Sequence, residues 1–240
     1  MNTRKILLII ASSLVGAGLL ISGIALAMVN FDFSKLGSEK IVKNEHEISE
    51  SFKSITIDGD TEDICFERAQ DGKCKVICEE YEKNLHDVTV KAGTLTIEEK
   101  SGRGWHFGFV TQSPKITVYL PETTYDSILI DTDTGDTILN DIKCKDCYFT
   151  CDTGDLFMKN VIATGEFHIE LDTGDANFDR CDAKSVFVET DTGDISGSFL
   201  TDKVFLADTD TGDVDVPKTI SGGRCEATTD TGDISLRIER

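Results

Sequence analysis

The chain has 240 residues, of which 44 are Asp or Glu and 24 are Lys or Arg, and its formal net charge is −20. Residues 131–240 contain 25 acidic and 10 basic residues, so a balance of −15 lies in this segment. A surface of this sign repels phosphate backbones and anionic lipid headgroups. The composition therefore argues against nucleic acid as a partner. It favours cations, cationic peptides or cell-envelope components bridged by divalent ions.

The chain begins with five residues, 1–5, predicted to form a cytoplasmic tail, and continues with the 24 uncharged residues 6–29. At ~1.5 Å per residue, a helix of that length crosses a hydrocarbon core of roughly 30 Å. A cleaved signal peptide is the alternative, because Ala25-Leu26-Ala27 is an A-x-A site. The apolar region of a signal peptide usually covers only about 7–15 residues. We therefore predict an uncleaved transmembrane helix at 6–29 and a single-pass cell-membrane protein with an extracytoplasmic C-terminal domain.

The segment after this helix changes from polar to strand-like. Residues 30–50 are polar with little apolar periodicity and are predicted to form a stalk, and one folded domain is predicted at 51–240. Period-two alternation of apolar residues indicates irregular N-terminal strands at 51–126, followed by regular repeats at 127–240. The loop 101–112, which contains the only Trp, is predicted to pack as a flap over one end of the domain, with a binding tip as the alternative.

The regular part is marked by the tetrad Asp-Thr-Gly-Asp, which occurs six times at spacings of 19 or 20 residues. Such a fixed period indicates one supersecondary unit stacked on itself. Glycine permits positive φ, and Asp and Thr side chains bond nearby backbone groups, so each tetrad is predicted to be a tight corner between two strands. Asp60-Thr61-Glu62-Asp63 is an earlier, imperfect copy. The six tetrads begin at Asp133, Asp152, Asp172, Asp191, Asp210 and Asp230.

Apolar residues alternate on both sides of each tetrad. With the first Asp counted as position 0, positions −5, −3, +4, +6 and +9 are mostly apolar and are predicted to face a core. The pattern predicts an all-β fold, a parallel β-solenoid in which each rung is a strand, a DTGD corner, a second strand and a second corner. The inward residues at position +9 are Ile142, Val161, Cys181 and Leu200.

The order of these features resembles the DUF4097 family, from about Phe52 to Arg240. An apolar N-terminal segment and paired early strands come first. The strand Gly93-Thr94-Leu95-Thr96-Ile97, the segment Ile116-Thr117-Val118-Tyr119-Leu120-Pro121 and the DTGD rungs follow. The resemblance implies a β-helix-like fold outside the membrane and an adhesin-like, cell-envelope function on the bacterial surface. It implies no catalytic residues.

Eight cysteines occur in the sequence, and we expect most of them to be free, buried thiols. If Asp71-Gly72 forms a two-residue hairpin turn, Cys65 falls opposite Cys78, so these two are predicted to be within disulfide distance. Cys147 and Cys225 share the inward column but lie four rungs apart, beyond disulfide reach. The CxxC formed by Cys144 and Cys147 has no second pair or histidine at zinc-site spacing, so it is a weak metal signal.

The acidic tetrads admit three interpretations. Aspartic proteases share one proton between two Asp-Thr-Gly loops, but six copies on one period do not form a single pair. Carboxylates of adjacent rungs stack ~4.8 Å apart in columns and repel one another. They accept hydrogen bonds from turn amides, bind calcium, or do both, since hard cations prefer oxygen ligands. Both remain open. The columns contain Asp133, Asp136, Asp152, Asp155, Asp172, Asp175, Asp191, Asp194, Asp210, Asp213, Asp230 and Asp233.

The sequence thus predicts a binding protein rather than an enzyme. We expect a membrane-anchored, acidic β-solenoid without catalytic residues or cofactor, which acts as an adhesin-like or envelope-associated module with an unknown cell-surface ligand. A calcium-dependent surface module is the alternative, and a polysaccharide-acting β-helix enzyme is the weakest interpretation. His46, His86, His106 and His168 stand in separate sequence contexts and predict no constellation.

Overall fold

A computed structural model describes residue 11 and residues 14–24, 40–100 and 113–239. The described helix, α1 (residues 14–24), belongs to one compact unit, and the strands belong to a second unit. The predicted cytoplasmic tail and the predicted flap at 101–112 lie outside the described residues.

The predicted transmembrane anchor is wrong. The described part of helix α1, residues 14–24, spans about 16 Å. Among the residues that the structure describes, no helix is both long enough and apolar enough to cross a membrane. An uncharged stretch is not uniformly apolar, because Gly16, Gly18 and Gly23 of α1 add little hydrophobic surface and have low helix propensity. The finding contradicts the anchor at 6–29 and the single-pass membrane localisation inferred from it.

The second unit is built from strands that form two sheets. Its irregular N-terminal part contains β1 (Ile41–Ile48), β2 (Ser54–Gly59), β3 (Asp63–Arg68), β4 (Cys74–Tyr81), β5 (His86–Lys91), β6 (Thr94–Glu99) and β7 (Lys115–Leu120). Its regular part contains β8 (Thr124–Thr134), β9 (Thr137–Asn140), β10 (Lys143–Thr153), β11 (Leu156–Lys159), β12 (Ile162–Ala163), β13 (Glu166–Thr173), β14 (Ala176–Cys181), β15 (Ser185–Thr192), β16 (Ile195–Phe199), β17 (Lys203–Thr211), β18 (Val214–Asp215), β19 (Gly223–Thr231) and β20 (Ile234–Ile238).

Each regular rung contributes one strand to each sheet. The strands before the corners form sheet 2, in the order β17-β19-β15-β13-β10-β8-β2-β6-β5, and those after the corners lie in sheet 1, in the order β1-β4-β7-β3-β9-β11-β14-β16-β20-β18. Neighbouring rungs pair in parallel at equal repeat positions, for example Cys147 with Phe167 and Leu156 with Ala176. The inward faces bury a continuous core. The all-β, parallel β-solenoid-like architecture is therefore confirmed.

The rungs do not stack in chain order at the C-terminal end. The last rung, β19 and β20, lies between the rung of β15 and β16 and the rung of β17 and β18. Val214 on the outer rung is consequently 43% exposed, whereas Ile234 at the same repeat position is fully buried. Cys225 pairs with Val186, so it lies three strands from Cys147 rather than the four expected from chain order.

The N-terminal end is capped by antiparallel strands. The imperfect tetrad at Asp60 joins β2 to β3, and this rung stacks in parallel on β8 and β9. On its other side β6 and β7 pair in parallel with β2 and β3. Antiparallel strands follow, β4 and β1 in sheet 1 and β5 in sheet 2. Residues 41–48 of the predicted stalk thus form a strand of this cap, and that part of the stalk prediction is wrong.

The predicted pairing of Cys65 with Cys78 is also wrong. Strand β7 lies between β3 and β4, and the two cysteines are therefore about 9.6 Å apart across two strand spacings. Cys78 pairs with Ile116, which pairs with Ile64, so Cys65 points to the opposite face of the sheet. The Asp71-Gly72 turn does not pair its two flanking strands, because β3 stacks on the regular rungs instead. All eight cysteines are free and buried, as expected for most of them.

One predicted inward residue faces outward. Leu200 is 37% exposed, and its neighbour Phe199 is fully buried. The register between β14 and β16 shifts after Phe178, so Phe199 rather than Leu200 pairs with Cys181. Counting positions along the repeat does not reveal such a bulge, because the number of residues per repeat is unchanged.

The inserted C-terminal rung gives a direct test of the rung order. Replacing Ile234 by Ala should lower the free energy of unfolding by about 2–5 kcal/mol, because the cavity lies inside the stack. Val214→Ala, at the same repeat position, should cost less than about 1 kcal/mol. Chemical denaturation measures both. Rungs stacked in chain order would produce the larger cost at Val214.

Candidate binding surface of the solenoid

The DTGD corners bring neighbouring backbones into close contact. The six tetrad glycines have φ between 126° and 154°. A Cβ atom at Gly154 would lie 2.1 Å from the carbonyl oxygen of Gly135 in the next rung. The Gly154 amide donates to the Thr173 carbonyl on the other side, at 2.9 Å. Glycine is therefore required both by the backbone conformation and by the approach of the adjacent corner.

The second Asp of each tetrad holds the neighbouring corner. The Oδ1 atom of Asp155 accepts a hydrogen bond from the backbone amide of Asp175 at 2.8 Å, and that of Asp175 accepts from Asp194 at 2.8 Å. The same bond recurs through the whole stack and begins at Asp63 of the imperfect tetrad. We call this series the aspartate ladder. Its acceptors, in spatial order, are Asp63, Asp136, Asp155, Asp175, Asp194 and Asp233, and the carboxylate of Asp233 accepts from the backbone amide of Asp213.

The first Asp of each tetrad has a different environment. The carboxylates of Asp152, Asp172, Asp191, Asp210 and Asp230 are exposed and make no hydrogen bond or ion pair within the described part of the chain. Asp133 does have a partner. The two columns predicted as one calcium surface are thus distinct, because turn amides already bond the second Asp. Calcium binding by the first column stays a prediction.

A row of aromatic side chains crosses the outer face of sheet 2. Tyr148, His168 and Phe187 occupy the same position on β10, β13 and β15. The ring centroids of His168 and Phe187 are 4.8 Å apart and nearly parallel, and those of Tyr148 and His168 are 6.1 Å apart. We call these three residues the aromatic ladder. Leu129, 40% exposed, extends it onto β8.

Carboxylates border the aromatic ladder on both sides. The Tyr148 hydroxyl donates to Glu166 at 2.9 Å, which raises the pKa of that hydroxyl and keeps it neutral. His168 Nε2 lies 2.9 Å from Glu170 Oε1. Glu189 is exposed beside Glu170 on the next strand, in register with it. The first Asp of each tetrad follows two residues further along the strands. The surface therefore combines partly exposed rings with a dense negative charge.

The sequence contained the signal for the aromatic ladder at position −4 of the repeat. Position −4 is the outward residue between the two inward ones, and it is Leu129, Tyr148, His168 and Phe187 in the first four rungs. Taken alone, His168 is one of four histidines in separate sequence contexts, and only the outward residues of several rungs together reveal the row. Stacking turns one solvated histidine into the centre of a continuous surface.

A pocket of about 800 Å³ at the capped end is a weaker candidate site. Phe52, Tyr119 and Tyr125 contribute to its lining. Two of its polar groups are already engaged, since the Tyr125 hydroxyl donates to the Pro121 carbonyl at 3.0 Å and the Lys75 ammonium lies 5.2 Å from the Tyr119 ring centroid. Phe52 and Tyr125 also stack on each other at 5.9 Å.

Substitution of a corner glycine tests the close backbone approach. Gly193→Val and Gly154→Val should each destabilise the domain by more than about 3 kcal/mol, because the new Cβ would overlap a carbonyl oxygen of the adjacent rung. Gly72→Ala, in a turn where a Cβ atom meets nothing within 4 Å, serves as the control. Thermal unfolding that is unchanged in both valine variants would contradict the proposed contact.

A matched pair of aspartates tests the separation of the two acidic columns. Asp194→Ala should lower the free energy of unfolding by about 1–2 kcal/mol, because the Asp233 amide loses its acceptor at 2.7 Å. Asp191→Ala should be neutral or slightly stabilising at low salt, because it removes only repulsion. Equal losses in urea denaturation would show that the columns act alike.

Comparisons with known proteins place this fold among bacterial proteins of known structure. A putative cell adhesion protein from Clostridium sporogenes ATCC 15579 is 14% identical, and the match covers 83% of this chain and 100% of that one with a TM-score of 0.51. A putative adhesin from Bacteroides fragilis NCTC 9343 is 19% identical over 84% of this chain and 98% of its own, with a TM-score of 0.47. No curated protein matches the sequence. The family model described as Toastrack DUF4097 matches residues 52–240, and the chain therefore belongs to the Toastrack DUF4097 family.

Proposed function

We propose that this protein is a non-catalytic, adhesin-like binding module that holds an extended cationic ligand, such as a Lys- and Arg-rich peptide segment, on the outer face of sheet 2. The observation that carries the proposal is the aromatic ladder bordered by carboxylates. The crystal structure from Clostridium sporogenes, which shares the fold, is named for cell adhesion, and this name supports a binding role.

The chemistry of the face suits ammonium and guanidinium groups. A cation over an aromatic ring gains about 0.5–1 kcal/mol at an exposed site. Carboxylates such as Glu170 and Glu189 lie close enough to the rings to form charge-assisted hydrogen bonds with the same cation. The net charge of −20 attracts such a ligand over a longer distance.

The geometry suits a ligand that is extended rather than compact. Adjacent strands of sheet 2 repeat the same outward positions about every 4.8 Å, which gives a regular series of equivalent contacts. A regular series favours binding several similar side chains in succession, and affinity grows with each additional contact. It does not assemble the unlike acid, base and nucleophile groups of a catalytic site.

Replacing the rings tests this function. Tyr148→Ala combined with Phe187→Ala should weaken binding of an oligolysine peptide about fivefold to thirtyfold, because two cation–ring contacts of about 0.5–1 kcal/mol each are lost. Phe157→Ala is the matched control, since Phe157 is 40% exposed in sheet 1. Calorimetry at fixed ionic strength measures the affinities.

Two outcomes would contradict the proposal. One is equal weakening by Phe157→Ala, which would show that the effect is not specific to the ladder. The other is binding of an oligoglutamate or neutral peptide as tight as that of oligolysine, because the acidic face would then not select the ligand.

A further inference from the structure

The first corner of the stack differs from the others in a way that creates a buried carboxylate. Glu62 takes the tetrad position that is glycine in the six later copies, and its side chain is only 6% exposed. Its Oε2 atom accepts hydrogen bonds from the amides of Asp60 and Thr61, at 2.9 and 3.1 Å. The other oxygen, Oε1, lies 3.5 Å from Nε2 of His86.

The imidazole of His86 is held between two acidic residues. Its side chain is fully buried, and Nδ1 lies 2.7 Å from Oε2 of Glu80, whose side chain is 2% exposed. Glu80 also accepts from the His86 backbone amide and from the Asn44 side chain, both at 2.6 Å. Nε2 of His86 is buried and has no hydrogen-bond partner. A buried polar atom without a partner is costly, so this nitrogen requires an explanation.

The thiol of Cys78 completes the group. One ligand atom each from Cys78, Glu80 and His86 lies within 4.8 Å of the other two, and all three residues are buried. Among the described residues, no other group of three such side chains meets this condition. Sulfur, imidazole nitrogen and carboxylate oxygen are the three donor types that zinc binds in proteins.

One distance in the group matches the separation of two ligands in a tetrahedral metal site. Bonds of about 2.0–2.3 Å place the ligand atoms of such a site about 3.3–3.6 Å apart. The 3.5 Å between Glu62 and Nε2 of His86 falls within this range, although it is long for a hydrogen bond. The Nδ1 contact with Glu80 is the arrangement by which a carboxylate orients a metal-binding histidine.

The charges of the group suit a divalent cation. Glu62 and Glu80 bring two carboxylates into the interior, where burial of charge is expensive. A divalent ion at the group would compensate two negative charges directly. With a neutral imidazole and the Cys78 thiolate as a third anion, the occupied group keeps one net negative charge.

We infer that Cys78, Nε2 of His86 and Glu62 hold a divalent transition-metal ion of the zinc type in a buried site, in which Glu80 orients the imidazole from Nδ1. Coordination by the Cys78 sulfur releases its proton to solvent as the metal–sulfur bond forms, so no redox change is involved. The metal would join β4 and β5 of the cap to the first corner of the stack. This inference is independent of the proposed ligand-binding face.

Zinc binding to the full chain tests the site. After treatment with a chelator, the protein should bind one zinc ion per chain in calorimetry, and its melting temperature should rise with zinc concentration. Cobalt(II) in place of zinc should produce a thiolate-to-metal charge-transfer band, which requires a cysteine ligand. Cys78→Ser and His86→Gln should each weaken zinc binding at least a hundredfold.

Two matched variants separate the site from general effects on the fold. Cys74→Ser changes another buried cysteine of the same strand, and His46→Gln changes another histidine whose Nε2 is buried without a partner. Both should retain one zinc ion per chain with unchanged affinity. Zinc binding that survives Cys78→Ser, or that falls equally in Cys74→Ser, would overturn the inference. Absence of the charge-transfer band in the unmodified protein would also overturn it, without reliance on the folding of any variant.

Discussion

The structure depends on the contact between backbones at the DTGD corners. A carbonyl oxygen of one corner occupies the space where the next corner would place a Cβ atom. In addition, an aspartate carboxylate of one corner accepts a hydrogen bond from a backbone amide of the neighbouring corner. These contacts fix the rungs at a common register, so that the apolar residues on both sides of the corner coincide in one core. The repeat of the sequence is therefore a repeat of hydrogen bonds as much as of hydrophobic residues.

A common register also determines the outer surface. Because side chains on adjacent strands lie opposite each other, Tyr148, His168 and Phe187 are brought into stacking distance by the same pairing that aligns the core residues. At the capped end the repeat is interrupted, and Glu62 replaces glycine in the first corner. The regular middle of the stack thus carries the proposed binding face, and the irregular end carries the inferred metal site.

The sequence predicted the middle of the domain well and the ends poorly. Periodicity located the corners, the inward positions and the parallel stacking, because each is repeated six times. It did not predict that β19 and β20 insert beside β15 and β16. Every rung offers similar strand edges for pairing, so which rungs become neighbours depends on the whole stack. The predicted pairing of Cys65 with Cys78 was wrong because a local turn signal does not show that β7 inserts between β3 and β4.

The candidate sites show the same limit. The row at position −4 could be derived from the repeat by comparing outward residues across rungs. The repeat could not predict the group of Cys78, Glu80, His86 and Glu62. This group joins one corner to two antiparallel strands, and no local sequence pattern specified how those strands pair. An uncharged stretch likewise did not establish a membrane-spanning helix, because no helix among the described residues is long and apolar enough to cross a membrane, and residues 14–24 of α1 include three glycines.

Native-state hydrogen exchange at the corners tests the central claim most directly. The backbone amides of Asp155, Asp175 and Asp194 lie at solvent-facing corners, yet each donates to a carboxylate of the adjacent rung. These amides are expected to exchange slowly, at rates similar to those of the amides in the buried strands on either side. Exchange at the rate of an exposed loop, while the flanking strands remain protected, would contradict the claim.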